Sequence, residues 1–225
     1  MRETSGSDRR RRETAGVAIE ELEGRRLLTV SLSGGVLTVT GTAGADVVEV
    51  QRRADDGEVR VQLNGDETEY AIGSVSRVVV NGLAGNDVIE YSGRDGGLKV
   101  PGALDGGDGN DSISGGPAND SISGGSGNDR IEGKNGNDDL SGGRGHDSME
   151  GGNGNDSLYG GAGNDDLSGN RGTDLLSGGD GADDLYGGAN TDAIFGGAGN
   201  DDFDDSDASA EWEDRDSADN RPNGV

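Results

Sequence analysis

The sequence predicts an all-β chain in which a short-stranded, β-rich region precedes a thin, repetitive solenoid. Three observations carry that prediction. Residues 106–204 divide into eleven nine-residue units without an insertion. The eighth position of every unit is apolar, set among small and polar neighbours. Upstream, valine-rich runs alternate with Gly, Asn and Asp turns, and no helical period competes with them.

Composition narrows the architecture. The 225 residues include 46 glycines, with aromatics at 3% and hydrophobics at 28%. An average soluble domain is roughly 45–50% apolar with glycine counted. A thick aliphatic core is therefore excluded, and a stack of short repeats or a chain folded around a ligand remains. The net charge of −26 argues against nucleic acid and against anionic membrane surfaces, which both need a basic footprint. Dense carboxylates instead match cations. Cysteine is absent, so disulfides and thiolate metal sites are excluded. No stretch approaches the roughly 20 apolar residues of a spanning helix. The run Arg9–Arg12 is not followed by an apolar segment of signal-peptide length, so a cleaved leader is not expected.

Four regions follow from these shifts. Residues 1–26 are polar, mixed in charge and expected to be flexible. Residues 27–105 hold the short strands Leu27–Leu32, Val36–Thr40, Val47–Gln51, Val59–Leu63, Arg77–Asn81 and Val88–Tyr91. Residues 106–204 are the repeats, and residues 205–225 form an acidic tail expected to be disordered.

Within the repeats, the first position is glycine and the sixth is aspartate in all eleven units. Eighteen aspartates fall in this block, and random placement would put two of them at any one position. Eleven at the sixth position is a structural requirement. Glycines at positions one, two and four permit a tight turn with positive φ and expose main-chain carbonyls. The aspartate adds a charged, hard oxygen. Calcium takes roughly 6–8 oxygens at about 2.3–2.6 Å, more than one six-residue turn supplies. Two turns stacked at about 4.8 Å could clamp one ion between them. The last three positions alternate out, in, out as a short strand, so position eight lines a narrow core.

These units, from GGDGNDSIS at Gly106 to GGAGNDDFD at Gly196, resemble the RTX nonapeptide G-G-x-G-x-D-x-U-x. The resemblance implies a right-handed parallel β-roll with two nonapeptides per turn and Ca2+ as the bound ion. It implies two aspartate ladders. One holds Asp111, Asp129, Asp147, Asp165, Asp183 and Asp201; the other holds Asp120, Asp138, Asp156, Asp174 and Asp192. Aspartates two units apart would then share up to nine ions, with Asp147→Asn expected to cost more than Asp111→Asn at the ladder's end. Residues 106–204 hold 18 Asp, two Glu and four basic residues, a net of −16 that nine divalent ions would offset. Folding coupled to metal binding follows.

Departures from the pattern mark individual turns. Ala118 and Asn190 replace glycine at position four, and Lys134 and Asn170 replace it at position two. Asn tolerates left-handed backbone best among these, so the second and fourth turns are the least regular. The single histidine, His146, sits at the variable fifth position as an exposed turn residue. Upstream, GTAGADVVE at Gly41 and GLAGNDVIE at Gly82 echo the unit and place Asp46 and Asp87 at the sixth position. The interval from Gly82 to Gly106 is not a whole number of units, so register with the repeats should be lost. Asp87 is an additional candidate ligand, in a region read as an irregular solenoid cap.

The segment Leu22–Leu28 resembles the LEPR-XLL sorting motif of some large exported proteins, with Gly24 in place of proline. No catalytic constellation is found: one histidine excludes H-E-x-x-H chemistry, and neither a G-x-S-x-G elbow nor a cysteine nucleophile occurs. The expectation is a non-enzymatic calcium-binding module, secreted or at the cell surface, that folds in external calcium. A calcium-dependent glycan-binding or adhesive module is the alternative, with extracellular polysaccharide or surface matrix as partner. Tyr159, Tyr186 and Phe195, all at position nine, are its candidate sugar-stacking residues.

Overall fold

The computed structural model describes residues 29–52, 57–91, 98–204 and 211–213. Among these described residues every regular element but one short 3-10 turn is a strand, and the strands form two ten-stranded sheets. The alternation seen in the sequence is what builds them. In Val36–Thr40, for example, Leu37 and Val39 are buried while their neighbours are half-exposed.

Each full repeat strand is longer than three residues. Ser121–Ser126 starts at position seven of the second unit and runs through position three of the third. The buried alternate residues are Ile122 at position eight and Gly124 at position one. Glycine is required at that inward position because a Cβ on Gly124 would collide with the Asp129 carboxylate and the Gly142 carbonyl.

Successive units alternate between the two sheets, so the parallel neighbour of each strand is the second unit along the chain. Ile122 pairs with Leu140 in one sheet, and Ile131 pairs with Met149 in the other. Two nonapeptides therefore make one turn of a parallel β-roll. Two apolar columns fill its interior. One runs Val39, Val80, Leu104, Ile122, Leu140, Leu158, Leu176 and Ile194. The other runs Val48, Ile89, Ile113, Ile131, Met149, Leu167, Leu185 and Phe203. All of these side chains are buried.

Those columns show that the upstream strands belong to the same solenoid. Leu83 pairs with Gly107 and Val88 with Ser112, so the unit at Gly82 stacks directly on the first repeat. This corrects the expectation that the irregular interval from Gly82 to Gly106 breaks register. The extra residues fall in sequence between Tyr91 and Gly102, and the strands and the aspartate bond on either side stay in step. The same holds one coil further out, where the interval is 41 residues and the insertion includes the antiparallel strands Glu58–Leu63 and Asp66–Ala71.

The sheet edges are blunted. Asp66–Ala71 forms the outer strand of one sheet, and its acidic residues reduce its attraction for further strands. Its Glu67 pairs with Arg60 Nε at 3.1 Å. Thr29–Ser33 closes the other sheet as an antiparallel edge. At the far end, Glu211–Glu213 pairs with Ala193–Ala198, placing a strand inside the segment read as a disordered tail. Residues 1–28, including the LEPR-XLL-like segment, lie outside the described residues.

Candidate metal centre

The turns between strands bring the sixth-position aspartates to the two edges of the roll. Asp111, Asp120, Asp129, Asp138, Asp147, Asp156, Asp165, Asp174, Asp183, Asp192 and Asp201 are each at most 3% exposed. Buried carboxylates at this density need partners. One oxygen has one: along each ladder, Oδ1 accepts the backbone N–H of the aspartate one coil earlier. Asp111 N–H donates to Asp129 Oδ1 at 2.8 Å, Asp129 to Asp147 at 2.8 Å, and Asp147 to Asp165 at 2.8 Å. On the opposite edge Asp120 donates to Asp138 at 2.8 Å, and Asp138 to Asp156 at 2.8 Å.

The second oxygen is the chemical signal. In Asp111, Asp129, Asp138, Asp147, Asp156, Asp165, Asp174 and Asp183, Oδ2 is buried and has no hydrogen-bond partner among the described residues. Leaving such an atom buried and unpaired is costly. Each of these oxygens points into a cradle beside the first glycine of its own unit. A Cβ on Gly160 would lie 2.5 Å from Asp165 Oδ2 and 2.6 Å from the Gly178 carbonyl oxygen of the next coil. On Gly133 the corresponding distances are 2.6 Å to Asp138 Oδ2 and 2.6 Å to the Gly151 carbonyl. Charged and neutral hard oxygens from two adjacent coils thus converge on one space. That donor set suits a hard divalent cation such as Ca2+. No group of three or more His, Cys, Asp or Glu side chains converges among the described residues, so an ion here depends on main-chain oxygens too.

Electrostatics agree with the geometry. Burial pushes Asp138 up to about 7, and Asp129, Asp174 and Asp183 up to about 6. The neighbouring N–H bond opposes that rise, and the flanking aspartates of the ladder add to it. Burial also raises Asp111, Asp120, Asp147, Asp156 and Asp165. A bound cation would offset that rise by supplying a counter-charge that stabilises the ionised carboxylates.

Glycine is favoured at positions two and four for a different reason, the left-handed backbone and the close approach of the preceding coil. Gly145 has φ +130°, and a Cβ there would overlap the Gly127 carbonyl of the preceding coil. At position two, Lys134 adopts φ 79° and Asn170 φ 71°, the left-handed backbone of the glycines they replace; Asn190, at position four, has φ 86°. The fourth turn therefore keeps its shape, and Asp138 keeps the unpartnered oxygen.

The second turn does not. Pro117 disfavours a helical backbone in the residue before it. Gly116, unlike the second residue of every other unit, is not left-handed, and neither is Ala118. The Gly116 N–H turns onto Asp120 Oδ2 at 2.7 Å, while Gly102 N–H donates to Asp120 Oδ1 at 2.7 Å. Both oxygens of Asp120 are thus engaged by backbone donors, and the ladder begins there with a closed end.

The other ladder extends upstream. Asp87 is 1% exposed; its Oδ1 accepts the Asp46 N–H at 2.8 Å, and its own N–H donates to Asp111 Oδ1 at 2.7 Å. Its Oδ2 is buried without a partner, and burial pushes the group up to about 6. Asp46 closes this ladder as Asp120 closes the other. Its Oδ1 accepts Asn64 Nδ2 at 2.6 Å, and its Oδ2 accepts the Thr42 N–H at 2.5 Å and the Thr42 hydroxyl at 3.0 Å.

The fifth position, read as variable, carries an auxiliary ladder. Asn110 Oδ1 accepts the Asn128 N–H at 2.8 Å, and Asn128 Oδ1 accepts the His146 N–H at 3.0 Å. His146 Nδ1 continues the series by accepting the Asn164 N–H at 2.7 Å. The preponderance of Asn at this position was the available signal. His146 is exposed and serves the turn.

Residues 105–140, 132–167, 141–176 and 168–203 each match the family described as the RTX calcium-binding nonapeptide repeat. No curated protein matches the chain. No helix among the described residues is long and apolar enough to cross a membrane. Residues 105–203 are therefore RTX calcium-binding nonapeptide repeats, folded as a parallel β-roll, and Ca2+ is the ion such repeats bind.

Proposed function

We propose that the roll holds calcium ions between successive coils and folds on meeting them outside the cell, as a structural module of secreted or cell-surface material. One observation carries this reading: buried carboxylate oxygens without partners recur from coil to coil, from Asp111 to Asp183 on one edge and from Asp138 to Asp174 on the other, each beside a carbonyl of the next coil. Asp111, Asp129, Asp147, Asp165 and Asp183 supply the oxygens on one edge, and Asp138, Asp156 and Asp174 on the other. Asp201 and Asp192 complete the last coil of each ladder, and Asp120 seals the start of the second. The ion would neutralise the carboxylates and tie neighbouring coils together, so binding energy becomes folding energy. Extracellular calcium modules bind at about 10⁻⁴–10⁻³ M, which would leave the chain unfolded in the calcium-poor interior and folded outside.

Circular dichroism during a calcium titration tests the coupling. The β-sheet signal should appear between zero and about 10 mM calcium, tenfold above the weak end of the extracellular range, and vanish on adding EDTA. A spectrum that never changes would sink the reading. The regular spacing of the carboxylates fits ion binding rather than acid–base catalysis, and the chain is read as a binding module rather than an enzyme.

A second reading, a calcium-dependent glycan-binding surface, is favoured by a shallow trough on one sheet. Tyr186 forms its wall, and Glu150, Asn153, Asn170 and Arg171 line it. Tyr186 is 37% exposed, an aromatic face beside polar donors. Tyr159 and Phe195 lie on the other sheet, in one column separated by Ser177. A glycan array probed with and without calcium separates the readings: no calcium-dependent signal leaves the structural module.

A further inference from the structure

We infer that Asp87 holds a calcium ion at the junction of the upstream coils and the repeats, outside residues 105–203, and that this ion locks the two regions into one folding unit. The inference rests on the reading that ladder oxygens in the roll bind calcium, and it concerns a site that no repeat of the matched array contains.

The geometry at the junction reproduces that of the roll. Asp87 Oδ2 is buried and unpartnered, as Asp111 Oδ2 is one coil later. A Cβ on Gly82 would meet both Asp87 Oδ2 and the Gly106 carbonyl, the same two kinds of oxygen that face Gly160. Leu83 follows with φ 85°, in the left-handed backbone that Gly107 adopts at the equivalent place. Leucine bears a steric cost there that glycine does not, and the turn is nevertheless kept. Gly85 completes it at φ +124°, and its N–H donates to the Asp108 carbonyl at 2.7 Å.

The upstream ends of the ladders supply the contrast. Where each ladder begins, the protein provides its own donors: Thr42 and Asn64 saturate Asp46, and the N–H groups of Gly116 and Gly102 saturate Asp120. At Asp87 no such donor reaches Oδ2 among the described residues. A buried carboxylate supplied with donors opens a ladder; one left without them, inside a cradle of oxygens, is a cation site. The ion would bridge Asp87 in the Gly82 coil to Gly106 in the first repeat. Its loss should therefore loosen Arg77–Ala84 and Val88–Tyr91 from the roll without dissolving the roll itself.

Hydrogen exchange on the full chain, in EDTA and in calcium, tests this with the wild type and Asp87→Asn. Asparagine keeps the oxygen that accepts the Asp46 N–H and replaces only the unpartnered one. In the wild type, amides of residues 78–91 should gain protection over the same calcium range as residues 106–204. In Asp87→Asn the gain at 78–91 should fall about tenfold or more, while residues 129–204 keep theirs. An unaltered gain at 78–91 beside a calcium-dependent roll overturns this inference and leaves the function of the roll standing. Absence of calcium dependence everywhere overturns both. Should Asp87→Asn fail to fold in calcium, the wild type decides: full protection of 78–91 in EDTA refutes the site, and protection that rises with the roll supports it.

Discussion

Asp111→Asn should weaken calcium-dependent stability as much as Asp147→Asn. Counting repeats placed Asp111 at the end of its ladder, where a substitution would matter less. The structure places it in the interior. Asp111 Oδ1 accepts the Asp87 N–H at 2.7 Å and its own N–H donates to Asp129 at 2.8 Å; Asp147 makes the same two bonds at 2.8 Å and 2.8 Å. Each presents one unpartnered oxygen to the next coil. Asparagine preserves the N–H bond and removes the charge proposed to ligate calcium, so each variant should lose one ion. At a calcium concentration a hundredfold above the dissociation constant, one lost site removes about 2.7 kcal/mol of stabilisation. The assay is urea unfolding of wild type and both variants at that calcium concentration. Both variants should be less stable than wild type by about 2.7 kcal/mol. A loss at Asp111 of less than half that at Asp147 would refute the extension of the ladder beyond the repeats.

Three further outcomes follow. Without metal, the chain should lose stability as pH rises from about 4 to about 7: the folded-state values of Asp129, Asp138, Asp174 and Asp183 lie above the ordinary carboxylate value of 3.8, so both states are protonated below it and the penalty is complete above about 7. Circular dichroism in EDTA at about pH 4.5 and 7.5 checks this, with more residual β-sheet signal at the lower pH, and calcium should reverse the order by stabilising the high-pH form. Gly145→Ala should cost at least about 2 kcal/mol, from a left-handed backbone and a Cβ set against the Gly127 carbonyl, whereas Gly73→Ala, with open space around it, should shift stability by less than about 0.5 kcal/mol. Lys134→Gly should raise stability in calcium by about 1 kcal/mol, because Lys134 holds φ 79° where glycine is at ease; a fall in the unfolding midpoint would contradict the strain assigned to it.

The periodic features of the chain were the legible ones. An apolar eighth residue and an invariant sixth aspartate specify a column and an edge, and both appear where the spacing puts them. Features that depend on contacts between coils were harder to read. The role of Asn110 and Asn128 is a bond to a residue one coil on, and composition at position five only hints at it. Register between Asp46, Asp87 and Asp111 survives intervals of 41 and 24 residues, because the extra residues fall between paired strands, in the first case including the antiparallel strands Glu58–Leu63 and Asp66–Ala71, and leave the aspartate bonds intact. The closed end at Asp120 depends on how Pro117 sets the Gly116 N–H, whereas the sequence drew attention to Ala118 beside it. Asp66–Ala71 lacks apolar alternation because an outer strand can expose its charges.

The number of calcium ions bound per chain at saturation tests the shared-ladder account most directly. Six unpartnered aspartate oxygens on one edge (Asp87 to Asp183) and three on the other (Asp138, Asp156 and Asp174) have a further coil stacked beyond them. Equilibrium dialysis of the full chain should therefore count nine ions, all released by EDTA. A count of eleven, one for every repeat, would show that each turn holds its own ion and would contradict sharing between coils.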